Sequence, residues 1–565
     1  MKGIIRVLFL LLAIALFAAA CFSPLSGNGN MANLTINLAG NQGARGWGSQ
    51  IDPNIIANLS YKITLKRNSH ILDIITISNV RSQINIQVPP GYLDVIVEAY
   101  YHGWDFAKGS TPHTVNVRAG SNNPPITISM NRIASGIVMD IPNGDLLDFG
   151  GVFTGETKNK SITIWNFSEN DLYNLTVSVS TGNFRALSSL SIPQNGSEVL
   201  NVENFPTLNS SGDSTEFSST ITISDNTGTL AEFTAKITVC ALTSGGIQKM
   251  IDLAANESTI TIPNGDISMD KTIKIEEKNV TLTWDLSDYN SCNVMRAPMF
   301  EESFFKIMAG GILNLDAIYD PSGTPPSLNF NGYFSSQTTD SLVHVTDGGT
   351  FKILSYVIQV CNNTSENGGA IYIDGGTFIM HDGSVSGTAN NNGGGVYING
   401  GTFIMDAGSV YGTAANNGGG VYIANGSFIM HNGSFNVSAT KNGGGVYIAN
   451  GSFIMNDGRF YGSANNNGGG VYIADGSFSM RGGTIYVYGR EVFGGGVYIS
   501  ANGSFTKPGS SSGGVIDTLN SSTPTYQGKA VYWARTGGAL YRDNTLSATD
   551  SLSTSDMNTN WTAVP

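Results

Sequence analysis

His381, Asp406, His431, Asn456 and Arg481 stand 25 residues apart, each directly after a methionine of the series Met380, Met405, Met430, Met455 and Met480. If equal positions stack, imidazole, carboxylate and imidazole lie one above another, a donor set suited to a divalent metal. Asp382 beside Asp406 adds a second carboxylate, and a pair of carboxyl groups at about 5 to 9.5 Å is what acid–base hydrolysis of a glycosidic bond needs. Asp457 is a further neighbour of the column. The column passes from His to Asp to Asn to Arg, however, which is how a solvated turn position drifts. The expectation is therefore no metal and no catalytic pair. Gly-x-x-x-x-Gly-Lys and His-Glu-x-x-His motifs are absent, and the glycine triplets precede no helix that could form a dinucleotide cradle. Cys240, Cys292 and Cys361 are far apart and odd in number, so neither a disulfide framework nor a zinc site is expected. No enzyme activity and no cofactor follow from these residues.

The elements that would position the column are legible from the same period. Gly-Gly-Gly-Val-Tyr-Ile recurs with Val396, Val421, Val446 and Val471, and a Gly-Ser/Thr-Phe-Ile/Ser-Met stretch follows each copy. Alternation in Val396-Tyr397-Ile398 sends Val and Ile to one face and Tyr to the other. Phe403 and Met405 share a face, and Gly408-Ser409-Val410-Tyr411 buries one further apolar residue. Three short strands separated by glycine turns, with no helix-forming segment, predict a right-handed parallel β-helix of 25-residue coils. The Leu-x-x-Leu-x-Leu frame of a leucine-rich repeat is missing.

Stacked coils about 4.8 Å apart turn each position into a ladder. The Phe378/Phe403/Phe428/Phe453/Phe478 and Met380 to Met480 ladders point inward, and Asn392/Asn417/Asn442/Asn467 forms a hydrogen-bonding column before the glycines. Tyr372, Tyr397, Tyr422, Tyr447, Tyr472 and Tyr498 run outside as a candidate ligand-contact ladder. Two roles remain open for it: a flat strip for sugar rings or partner side chains, or a self-stacked column that stiffens the solenoid. The array reaches upstream through Gly349-Thr350-Phe351 and Ala309 to Leu313, and downstream to Ala530-Val531-Tyr532-Trp533. The helix-like segment Ile247 to Ala254 is placed to cap the first coil. The β-helix is expected over residues 244–545, in about a dozen coils, with a tail at 546–565.

Upstream of it the chain reads as all-β. Residues 31–132 hold alternating runs such as Tyr61 to Leu65, Ile84 to Val88 and Leu93 to Ala99, separated by turns such as Pro89-Pro90-Gly91. Through Val88-Pro89-Pro90-Gly91-Tyr92 and Ala107-Lys108-Gly109 this stretch resembles transthyretin-like or carboxypeptidase-regulatory sandwiches. Residues 136–240 carry Asp148-Phe149-Gly150, Lys160 to Asn166, Gly182-Asn183-Phe184 and Phe205-Pro206. That pattern resembles the choice-of-anchor or abnormal-spindle/hydin-like immunoglobulin family, which implies a seven-strand sandwich used as a spacer, with no catalytic residue.

Residues 1–20 carry Lys2 and Arg6, the apolar run Val7 to Ala20 and then Cys21 after three alanines, which reads as an export signal. Leu16-Phe17-Ala18-Ala19-Ala20-Cys21 resembles a bacterial lipobox, which implies Cys21 as the lipid attachment residue, with 21–30 as a linker. Phe22 stands where the enterobacterial inner-membrane retention signal has Asp. Loss of Lys2 and Arg6 takes the formal charge from −13 to −15, a balance that opposes binding to nucleic acid or to anionic lipid surfaces. The Gly-Gly-Gly-Val-Tyr-Ile unit resembles repeats of spirochaetal surface lipoproteins and adhesin-like proteins, and Gly368-Gly369-Ala370-Ile371 resembles an element of chlamydial polymorphic membrane proteins.

The reading is an exported protein anchored by lipid to the outer membrane or cell surface, a non-catalytic adhesin or binding and antigenic display protein. Its expected partners are the membrane and a polysaccharide or host protein. The alternative is a carbohydrate-active β-helix enzyme, a polysaccharide lyase or hydrolase. That reading requires an acid cleft in the irregular coils at 266–366, where Asp316, Asp320, Asp340 and Asp347 share no register.

Overall fold

The computed structural model describes most of residues 31–546 and the pair 562–563; the main stretches outside the described residues are 1–30, 39–58, 334–338, 488–494, 508–513, 519–530 and 547–561, with shorter gaps elsewhere. The expected signal peptide, Cys21, the linker and most of the expected tail lie outside the described residues. The chain divides into two compact units, residues 1–148, 159–204 and 218–236 in one and 149–158, 205–217 and 237–565 in the other.

The first stretch of strands forms a three-stranded sheet, Gln83–Val88, Ala32–Leu38 and Ile126–Ile128, and a six-stranded sheet built around Leu59–Arg67 and Gly91–Tyr101. Leu59, Tyr61, Ile63 and Leu65 alternate inward opposite Leu93, Val95 and Val97, all fully buried, as a one-faced sheet requires. The next stretch has sheets of four and five strands, so nine strands replace the expected seven. The difference lies partly in Phe184–Ala186 and Ser189–Ile192, two short edge strands that pair with opposite sheets as the chain crosses between them. Asn166, which ends the strand Asn159–Asn166, is fully buried. Its amide donates to the carbonyls of Asn170 and Ile192 at 2.8 and 3.0 Å, and its Oδ1 accepts from the Ser168 amide. The motif asparagine thus satisfies backbone groups that the turn would otherwise bury unpaired.

In the second unit the helix Ser244–Leu253 starts at Thr243, whose hydroxyl accepts from the Gly246 amide at 3.0 Å. Ile247 and Ile251, one turn apart, are buried in the same core as the first coils, so the helix covers apolar surface and strand edge at the open end. Parallel coils follow in register. Ile273, Phe305, Val343, Ile371, Val396, Val421, Val446, Val471, Val497 and Val531 pair consecutively.

These ten residues mark ten coils, and Ser258–Ile262 and Ile267–Met269, which stack on Asn279–Asp285 and Cys292–Arg296, add a partial coil before them; the total is just under the expected dozen, in a stack of about 45 to 50 Å. The 25-residue period overcounts because early coils are longer: Asn329 meets Asn293 across 36 residues, whereas Asn417 meets Asn392 across 25. The last parallel strand, Val531–Arg535, is covered by antiparallel Gly538–Arg542, which ends the stack without leaving that edge open.

Each clean coil is one bent strand such as Val396–Met405 plus a shorter strand such as Ser409–Ala414 on a separate sheet. Inside, the rings of Phe378, Phe403, Phe428, Phe453 and Phe478 are 4.7 Å apart and within 9° of parallel. A fully buried apolar side chain of this kind contributes about 1.5 to 3 kcal/mol, and ring pairing adds about 0.5 to 1.5. Gly393, Gly418, Gly443 and Gly468 take φ between 62° and 71°, the left-handed conformation that favours glycine. Beside them the Asn column forms the expected ladder. Asn417 donates to Asn392, Asn442 to Asn417 and Asn467 to Asn442, at 3.1, 3.1 and 3.2 Å.

Candidate functional site

Because Tyr alternates with two inward residues in each Val-Tyr-Ile strand, the rings of Tyr372, Tyr397, Tyr422, Tyr447, Tyr472 and Tyr498 stack outside the long sheet. Their centroids are 4.7 to 5.2 Å apart and their planes within 2° to 7°. The stack continues to Tyr532 at 5.1 Å, and His344 meets Tyr372 edge-on at 5.2 Å. All six are half-buried. Burial, followed by the charge that neighbouring phenolates would carry, pushes Tyr447 and Tyr498 up to about 12. Ring faces inside the stack are covered by the next ring, so the ladder offers a ligand edges and hydroxyls, and its interior geometry is that of a stiffening column.

The polar column also stacks as its register requires. His381 Nδ1 lies 2.7 Å from Asp406 Oδ2, Asp406 Oδ1 lies 4.0 Å from His431 Nε2, and Asn456 joins His431 to Arg481 at 3.1 and 3.4 Å. Asp382 and Asp457 accept from the amides of Gly383 and Gly458 at 2.8 and 2.7 Å, closing the turn in each coil. Among the described residues no group of three or more His, Cys, Asp or Glu side chains converges to hold a metal ion.

The four aspartates of the irregular coils separate. Asp316 and Asp320 accept from nearby amides of Ala317 and Ser322 at 2.8 Å. Asp340 joins Glu366, Asp374, His344 and Tyr372 around a cavity of 350 Å³, and Asp347 joins Glu276, Lys306 and Asp374 around a shallower one. Burial, then the Lys306 charge, lowers the His344 pKa. Next to the first cavity Arg296 is buried, with its guanidinium over the rings of Phe300 and Phe304 at 5.6 and 5.0 Å. It donates to the carbonyls of Phe300 and Glu302 and to Asn363 Oδ1, which also accepts from Thr339. Burial lowers the Arg296 pKa to about 10. This network ties the excursion carrying Asp340 to the coils, and its residues carry no repeat signal.

The second sheet holds a feature that sequence reasoning missed. A groove of 540 Å³ runs over it, bordered by Tyr333, Asn362, Tyr411, Thr413, Asn436 and Ser438 among others. Tyr333 is 74% exposed and Tyr411 45%. The signal was present: Ser386, Tyr411, Asn436, Tyr461 and Tyr486 occupy one column of the same register, outward of the buried Val385, Val410, Phe435, Phe460 and Ile485.

No protein-family model matches the chain, and no curated protein matches it. Among solved structures it is similar to a protein of unknown function from Porphyromonas gingivalis W83, at 17% identity over 32% of this chain and 84% of that one; the TM-score is 0.15, which supports no argument about either molecule.

Proposed function

We propose that the chain is an exported surface protein, anchored by lipid on Cys21 to the outer membrane or cell surface, whose β-helix binds a polysaccharide or a partner protein without catalysis. The observation that supports this most is the outward register of the coils. The regular coils present the same outward side chain at equal steps from Tyr372 to Tyr498, which suits an extended partner, while Asp382 and Asp457 of those coils are occupied in closing turns. The rim of the tyrosine ladder, Tyr372 to Tyr498, offers hydroxyl hydrogen bonds to such a partner. The acidic, lysine- and arginine-poor composition directs the partner away from nucleic acid. The resemblance to spirochaetal surface lipoproteins agrees with this reading.

One observation favours the second reading, a polysaccharide lyase or hydrolase: Asp340, Glu366 and Asp374 border one cavity with His344. Incubating the full-length protein with pectin and other uronic polysaccharides separates the two. The binding reading expects the polymer to remain intact, and release of reducing or unsaturated ends, abolished in Asp340→Asn, would replace it with the enzyme.

A further inference from the structure

We infer that the groove over the second sheet is a binding site for a neutral polysaccharide chain, laid along the stack with sugar rings against Tyr333 and Tyr411. The inference rests on the reading of the β-helix as a binding surface and assigns that surface a place and a ligand class.

Three observations support it. The groove runs from Asn362 across the coils of Thr388, Thr413 and Ser438 to Ser463. Five coils at about 4.8 Å make a track of roughly 20 Å, matched to several linked sugars, and its 540 Å³ lies within the range of specific ligand sites. Second, the two bordering tyrosines differ from the ladder. The column neighbours of Tyr411 are Ser386 and Asn436, so no ring of its own column covers either face, and Tyr333 is the more exposed of the two. Exposed aromatic rings of this kind present an apolar face and a polar tip to a partner with both characters, as a pyranose has. Third, the lining is uncharged. Thr388, Thr413, Ser438 and Ser463 repeat a hydroxyl at each coil, and Asn362 and Asn436 add amides that both donate and accept. Sugar hydroxyls find partners in that set, whereas a uronate carboxylate finds no cation.

The test uses detergent-solubilised full-length protein and soluble xylan, mannan, galactan and β-glucan oligosaccharides, with oligogalacturonate as the charged comparison. Wild type should bind at least one neutral chain and prefer it to oligogalacturonate. Tyr333→Ala with Tyr411→Ala should weaken that binding by about tenfold or more, the scale of one lost ring contact. Tyr411→Phe should retain it, because the ring remains, and this variant guards against a folding artefact. Tyr422→Ser with Tyr447→Ser reports on the ladder. Neutral-glycan binding unchanged in the groove variant but lost in the ladder variant would overturn the groove and leave the binding reading standing. Preference for oligogalacturonate, or no binding to any neutral chain while a protein partner binds, would overturn the ligand class. Binding of neither glycan nor protein would remove the binding reading together with the inference.

Discussion

Asn417→Asp keeps the shape of the side chain and reverses one end of its hydrogen bonding. In the native ladder Asn417 Nδ2 donates to Asn392 Oδ1 and Asn417 Oδ1 accepts from Asn442, both at 3.1 Å, beside backbone bridges between the same residues. The carboxylate still accepts from Asn442 but sets an oxygen against Asn392 Oδ1. One net hydrogen bond is lost, about 1 kcal/mol, and two acceptors face each other in a half-buried column, about 1 kcal/mol more; the expected deficit is about 2 kcal/mol at neutral pH. Protonation supplies the missing donor. The folded-state pKa of the introduced carboxyl group therefore lies above the unfolded value of about 3.9, by roughly one and a half units for a 2 kcal/mol deficit. A raised carboxyl pKa means that stability relative to wild type is recovered below the unfolded value and lost as pH rises through the folded one. Denaturant midpoints of variant and wild type at about pH 3.5 and pH 7.5 measure this difference. The reasoning is refuted if the variant matches wild type at neutral pH, or if its deficit persists undiminished in acid.

The tyrosine ladder predicts a second pH dependence, at the alkaline end. Tyr447 and Tyr498 rise from 10.0 to about 12 through burial, so the folded state holds protons that the unfolded chain has released, and stability present below about pH 10 is lost as pH climbs towards 12. Ultraviolet titration should find these phenols ionising together with unfolding; ionisation near 10 with the fold intact would contradict the stack. Phe428→Ala empties a fully buried ring position between Phe403 and Phe453 and should cost about 3 to 5 kcal/mol in chemical denaturation, a loss that a relaxed core would reduce to below about 1. Replacing His381 and His431 together by alanine should leave zinc affinity by calorimetry unchanged, and loss of a tight site would show that Asp406 and the two imidazoles coordinate metal.

What the sequence showed of the fold was its repetition. A period of 25 residues put Phe378 to Phe478, Asn392 to Asn467 and Tyr372 to Tyr498 into ladders, because in-register stacking turns equal spacing into contact. The helix over Ser244–Leu253 was legible from Ile247 and Ile251, whose spacing gives one buried face. Where coil length varies the period fails: the excursion tied down by Arg296, Asn363 and Thr339 is set by contacts between residues far apart in the chain, and no local pattern announces it. The groove escapes the sequence for another reason. Tyr411 reads as a single outward residue of a minor strand, while its importance depends on Tyr333, on a different coil, and on Ser386 and Asn436 standing beside it where the ladder has rings.

Protease treatment of intact cells, followed by immunodetection of the 396–480 repeat, tests surface display most directly. The proposal predicts loss of the repeat epitope from non-permeabilised cells, with a cytoplasmic marker preserved, and release of the protein from the membrane fraction by Cys21→Ser. An epitope that survives until the cells are permeabilised would contradict display on the surface, and with it a role in binding external polysaccharide.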